Sequence, residues 1–339
     1  MSAPSDVTGQ LSVLLTGEGN RFAFWTEMTY DAEKDHSEGR RFVLRRMICL
    51  LFCLTVMLSA AASGEMSEVY PVRIYEQFSH KIYRSYESET LKYWIETFKI
   101  KGVRCYLTKI WMQDPGKQIR KATAKWHKNI KLPRDMAKDV TGAALVINGS
   151  GYVSPVYPWI PENYPGASSD YYYTPLGSLT VTDGEVFRNM EGVPYTGLTL
   201  EADGLHLYIK EENEKVLSAE PIQTWSFYEQ CPMQQKGEVL TPDDWAFAGK
   251  KARRTVIGRT DRNNYLILTV TNDGGTGLTL YEVNDFFLKY FELEWLYNLD
   301  GGPSYALLAR KKDRKRLTPI AGGGAKDADI MAFIELPPE

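Results

Sequence analysis

A chain of 339 residues, 43% of them hydrophobic, can bury a substantial core unaided, in one large domain or two small ones. Forty Lys and Arg stand against 43 Asp and Glu, and a net charge of -3 gives no global case for nucleic-acid binding. Four histidines and four cysteines without metal-ligand spacing argue against a metal centre, so no metal and no cofactor is expected.

Residues 1–46 are polar, show no clear repeat, and are expected to lie outside the fold. Arg40, Arg41, Arg45 and Arg46 then precede an apolar run that starts at Ile48 and ends in Ser59, Ala60, Ala61 and Ala62. Basic, then apolar, then small is the layout of a secretory signal, placed here at 47–62. The run is short for a membrane span, which needs about 20 residues. The expectation is therefore an exported protein, extracellular or in the cell envelope, with a mature terminus close to Ser63. Membrane association would follow only from an uncleaved signal. Cys49 and Cys53 leave with the signal; Cys105 and Cys231 remain, either paired or as buried free thiols. Residues 63–89 read as a linker and 90–339 as one domain, because no later linker divides it.

Within that domain, 93–100 and 104–112 read as strands, and Asp114-Pro115-Gly116 as a turn. The basic stretch 117–138 reads as a helix that buries Ile119, Ala122 and Trp126 and solvates its charged face. A face for an anionic polymer is the alternative. Residues 143–147 form a short apolar strand ending in Asn148, Gly149, Ser150 and Gly151. Residues 152–173, rich in Tyr, Trp, Pro and Gly, are either a sugar-stacking flap or an insertion that packs its rings on the surface. An antiparallel meander follows over 175–219, with turns at Asp183-Gly184 and Asp203-Gly204. Residues 310–316 are a basic loop, and 330–336 a closing strand.

The most informative stretch is 253–310. Residues 265–272 are a β-rich apolar run that ends at Asp273, Gly274 and Gly275. Thr279 and Glu282 have capping-box spacing, and Val283, Phe286, Phe287, Tyr290 and Phe291 line one helical face. A second strand over 295–299 ends at Asp300, Gly301 and Gly302. Strand, helix and strand make a βαβ unit whose strands are parallel neighbours or near neighbours. Both then end in Asp and Gly at one sheet edge, where α/β sheets bind ligands. The expected fold class is α+β: a single domain with a mixed sheet containing the βαβ unit and antiparallel hairpins, the strands near Leu145, Leu268 and Leu296 sharing one sheet.

Arg254-Thr255-Val256-Ile257-Gly258, Asp273-Gly274, Gly277-Leu278-Thr279 and 298–304 (Asn-Leu-Asp-Gly-Gly-Pro-Ser) resemble, in that order, the motifs of the phosphodiester glycosidase family. Asn148-Gly149 and Trp225-Ser226-Phe227 resemble two more. The best-known activity in that family removes N-acetylglucosamine from a sugar phosphodiester, and bacterial relatives are often labelled exopolysaccharide-related. The resemblance implies hydrolysis between an anomeric carbon and a phosphate, with a carbohydrate or sugar-phosphate polymer as partner and no nucleic acid. It implies Asp300 as the main catalytic carboxylate and Asp273 as its partner. Arg254 would offer a bidentate fork to phosphate. Asn148, Thr255, Gly274, Gly301, Gly302, Ser304 and the helix start at Thr279 would line the substrate. Ser150, Gly151 and Pro303 depart from the family pattern. They favour the alternative, a non-catalytic glycan-binding or cell-envelope-binding domain on the same fold.

Overall fold

In the computed structural model, residues 15–17, 20–22, 81–126, 128–154, 172–311 and 316–337 are described. The chain divides into two units, Met1–Glu65 and Met66–Glu339. In the first, β1 (Leu15–Gly17) and β2 (Asn20–Phe22) form an antiparallel hairpin. The signal run 47–62 lies outside the described residues.

Alternation of side chains builds the second unit. Its largest sheet has eight strands. They are β3 (Lys81–Glu87), β4 (Leu91–Ile100), β5 (Val103–Met112), β13 (Pro232–Gln235), β14 (Glu238–Val239), β15 (Arg254–Arg259), β16 (Asn264–Val270) and β17 (Trp295–Asn298). Their order across the sheet is β14-β13-β17-β15-β16-β5-β4-β3. Val256, Leu266, Leu268 and Leu296 point to one face and pack on the helix Leu280–Tyr290 through Val283, Phe286 and Phe287. Ile257, Tyr265, Ile267 and Tyr297 point to the other. A strand buried on both faces has no polar side left, which is why these segments read as continuous apolar runs. The helix begins as expected, with the Thr279 side chain taking Glu282 N–H while Glu282 reaches back to Thr279 N–H.

The βαβ reading holds with one strand intervening. β16 and β17 each pair antiparallel with β15, so they run parallel to one another on its two sides. The strand near Leu145 is a correction. β7 (Ala143–Asn148) lies in a separate five-stranded sheet with β6 (Ile119–Thr123), β18 (Ala306–Arg310), β19 (Leu317–Gly322) and β20 (Asp329–Ile334), in the order β19-β18-β7-β20-β6. Leu145, Ile147, Leu307, Met331 and Phe333 of this sheet pack against the free face of the larger one.

Two further expectations change. The stretch 117–138 is not one helix: after a single turn at Pro115–Gln118 the chain enters β6, paired antiparallel with β20. Tertiary pairing overrides the helical spacing of Ile119, Ala122 and Trp126, and Lys121 is buried rather than solvated. The edge strand β3 occupies the end of the stretch 63–89 read as a linker, so folded structure begins no later than Lys81.

The meander is present as a third sheet: β8 (Leu179–Thr182), β9 (Glu185–Asn189), β10 (Tyr195–Glu201), β11 (Gly204–Glu211) and β12 (Gln223–Trp225), in the order β11-β10-β12-β8-β9. Cys105 and Cys231 are free and buried. Burial pushes each thiol up to about 12. Among the described residues no helix is long and apolar enough to cross a membrane.

Candidate active site

The two sheets meet where β7 and β17 end. Asn148, fully buried at the end of β7, joins them. Its Nδ2 donates to Asp300 O at 2.7 Å, and its Oδ1 accepts from Thr255 Oγ1 at 2.7 Å and from Ala306 N at 3.0 Å. Asp300 N donates to Gly149 O at 3.2 Å. The separate-sheet arrangement therefore still brings the Asn148 and Asp300 segments to one point.

Asp300 does not stand there alone. β20 runs antiparallel to β7, which places its first residues beside the end of β7. Asp329 opens that strand and Asp327 precedes it, spaced by two; both are buried. Asp329 is fully satisfied. Its Oδ1 accepts Ser150 N–H at 2.7 Å, its Oδ2 accepts Ser150 Oγ at 3.0 Å, and Lys121 Nζ lies 3.2 Å from Oδ2. Lys121 also donates to Thr224 O at 2.5 Å and lies over the Trp225 ring, 5.4 Å from its centroid. Ser150, one of the departures from the family pattern, thus holds Asp329, and its Oγ also accepts Ser226 N–H. Gly149 cannot carry a Cβ, because the Asp329 carboxylate occupies that space.

The other two carboxylates are poorly satisfied. Asp300 Oδ1 accepts Gly301 N–H at 2.7 Å. Burial nevertheless pushes the Asp300 carboxyl up to about 7, with the Ser304 hydroxyl and the Gly301 N–H lowering it and the Asp329 charge adding to the rise. Among the described residues neither oxygen of Asp327 accepts an N–H or meets a cation, and the Ser304 hydroxyl is the one polar group the electrostatics place beside it. Burial, then the neighbouring Asp300 and Asp329, raise its carboxyl well above the usual carboxylate range, against a lowering by the Ser304 hydroxyl. Ser304 thus lies toward both. A 3-10 turn, Gly302–Ser304, presents it; Gly302 has a φ of 56°, in the left-handed region, and Pro303 fixes the next residue.

The remaining expected site residues lie elsewhere or are already engaged. Asp273 follows β16 by three residues at the same sheet edge, but β15 separates it from Asp300, and its exposed carboxylate pairs with Arg104 at 3.0 Å. Gly274, with a φ of 86°, packs on the backbone of Gly102. Arg254 is buried; its Nη2 donates to Phe247 O at 3.0 Å and Lys250 O at 2.7 Å, and its Nε to Leu278 O at 3.5 Å. Most of the fork expected for phosphate is thus used on backbone carbonyls. Gly302 N donates to Arg253 O at 2.9 Å, so neither the Gly301 nor the Gly302 N–H is left to cradle an anion. The Thr279 helix start is closed by its own capping box.

Beside Asp300 stands an aromatic wall. Phe227, Tyr228, Trp245 and Phe247 contact one another, the Phe227 and Tyr228 ring centroids being 4.4 Å apart. Asp300 contributes to raising the Tyr228 hydroxyl, after burial and Cys231. The half-buried Arg253 lies over Tyr305, 5.1 Å from the ring centroid, with no ion-pair partner among the described residues. The flap 152–173 lies largely outside the described residues; Tyr152, at its start, donates to Lys326 O at 3.2 Å.

The second unit is thus an α+β domain of antiparallel sheets with buried carboxylates where two of them meet. The profile of the phosphodiester glycosidase family matches residues 141–333, more than half of the chain. The chain belongs to that family. Zebrafish N-acetylglucosamine-1-phosphodiester alpha-N-acetylglucosaminidase, whose catalytic domain was solved auto-inhibited by its pro-peptide, shares the fold: TM-score 0.52, 17% identity, 79% of this chain and 91% of that one. A hypothetical protein from Synechocystis matches with TM-score 0.52 and 12% identity over 73% of this chain and 63% of that one. No curated protein matches the sequence.

Proposed function

We propose that this protein is an exported hydrolase that cleaves a sugar-1-phosphodiester linkage in a glycan or envelope polymer. The observation that carries the reading is Asp300: a buried carboxyl raised to about 7 inside the family-matched segment, beside an aromatic wall. A general base works best when it titrates near the working pH. In the proposed reaction water oxygen bonds to the anomeric carbon and Asp300 takes its proton. The carbon–oxygen bond to phosphate breaks, its electron pair leaving with the phosphomonoester. That leaving group is weakly basic, so little acid assistance is needed. The wall of Tyr228, Trp245 and Phe247 offers ring faces to a sugar.

Arg253 is the cation we assign to the phosphate, in place of Arg254. Arg253→Ala is expected to raise KM for the phosphodiester at least about tenfold with the fold intact. Arg254→Lys, which cannot reach three carbonyls, is expected to lower stability by about 1–3 kcal/mol instead. Kinetics and urea unfolding of the two variants separate these roles, and an unchanged KM in Arg253→Ala would remove Arg253 from the site.

The reading itself is tested by turnover of an N-acetylglucosamine-1-phosphodiester by secreted protein, which should also carry a mature terminus near Ser63. Binding of sugar polymer without any turnover would instead establish the glycan-binding alternative.

A further inference from the structure

The site would take an anionic substrate, yet it gathers three buried aspartates against one buried lysine. Lys121 balances Asp329, and Asp329 also has both Ser150 donors. That leaves Asp300 and Asp327, both buried, with no ion-pair partner among the described residues. Two buried carboxylates that repel one another do not both ionise readily, and the proton settles on the one less able to hold charge. Asp300 has the Gly301 N–H on Oδ1. Asp327 has neither an N–H nor a cation on either oxygen. The other charged groups near Asp327 do not change this. Lys131 pairs with its backbone, but the Lys131 ammonium turns to Asp139 at 3.6 Å, and Lys326 is exposed.

We propose that Asp327 is a specificity-determining residue that works as a neutral carboxylic acid, donating a hydrogen bond to the substrate's phosphate, while Asp300 alone carries the negative charge. This rests on the hydrolase reading. A neutral Asp327 halves the charge that faces the phosphate and converts an acceptor-only group into a donor. Ser304, lying toward both carboxylates, gives the proton a hydroxyl path by which the pair can return to this state after Asp300 has taken the water's proton. In that return the proton that Asp300 took from water leaves to solvent, and Asp327 keeps its own proton throughout.

The prediction is unusual for a buried active-site carboxylate. Asp327→Asn mimics the neutral acid and supplies an amide donor, so it should keep KM for the phosphodiester within about threefold at neutral pH. KM of the wild type should rise at alkaline pH as Asp327 ionises, and Asp327→Asn should abolish that rise. Asp327→Glu, or an uncharged aryl glycoside with wild type, serves as the control: the alkaline rise should persist in the first and be absent in the second. Independently of turnover, infrared spectra at neutral pH should show a protonated-carboxyl band that Asp327→Asn removes. Loss of turnover in Asp327→Asn as deep as in Asp300→Asn, or an unchanged alkaline rise, would overturn the assignment. The same follows if no carboxyl band disappears. A band that Asp327→Asn removes in a protein inert toward every phosphodiester would uphold the neutral acid and sink the hydrolase reading alone.

Discussion

Asp300→Asn is expected to lower kcat by about a thousandfold or more, on the order of 4 kcal/mol of transition-state stabilisation. The amide keeps the size of the carboxyl and can still accept from Gly301 N–H, but it takes no proton from water. Substrate binding should change much less, because Arg253 and the aromatic wall are untouched. The same substitution has a second, separable effect on stability. The native carboxyl titrates near 7 rather than at its ordinary 3.8, so between these values the folded chain holds a proton that the unfolded chain releases. Stability contributed by this group is therefore fully present below about 3.8 and is lost as pH rises through about 7. A shift of this size corresponds to roughly 4 kcal/mol, read as an order of magnitude. Urea unfolding from pH 4 to 8 should show a decline in wild type that Asp300→Asn makes shallower, the remainder belonging to Asp327. Equal slopes in the two proteins, or full turnover in the variant, would exclude the assigned role.

Lys121→Met is expected to lower stability by about 3–5 kcal/mol. Both members of the Lys121–Asp329 pair are fully buried, at 0% side-chain exposure, so removing the ammonium leaves a carboxylate charge with no counter-ion. Ser150 N and Oγ can offset only part of that. Adding Asp329→Asn to the variant should recover a measurable fraction, since an uncharged amide is far less penalised in the same place. Thermal or urea denaturation of the single and double variants measures this. A single variant within 1 kcal/mol of wild type would mean that the Lys121–Asp329 pair contributes little to stability.

Residues 265–298 were legible because their local signals agreed: β-rich apolar runs, a capping box at Thr279 and Glu282, and a helical stripe ending at Phe291, whereas β15 went unread. The Lys117–Lys138 stretch was not, because Ile119, Ala122 and Trp126 fit a helix in isolation and only pairing with β20 makes 119–123 a strand. The same limit hid much of the site. Asp273 and Asp300 share a sheet edge, as the two strand endings implied, but β15 lies between them. Asp327 and Asp329 carried one unread signal: two aspartates spaced by two at the start of an apolar strand, which places both on one face.

What the sequence determined by itself was whatever short range decides: the strands, the helix and its cap, the Asp-Gly endings, and the order of motifs that marks the family. Which carboxylates meet was decided only by the tertiary structure. The partners of Asp300 lie across a sheet-to-sheet junction, joined through Asn148, whose three hydrogen bonds link segments more than 100 residues apart in the chain. The electrostatic character of the site was decided there too. Burial sets how a carboxyl titrates, and nothing in the local sequence distinguishes a satisfied Asp329, with its lysine, from an Asp327 whose carboxylate has no N–H and no cation.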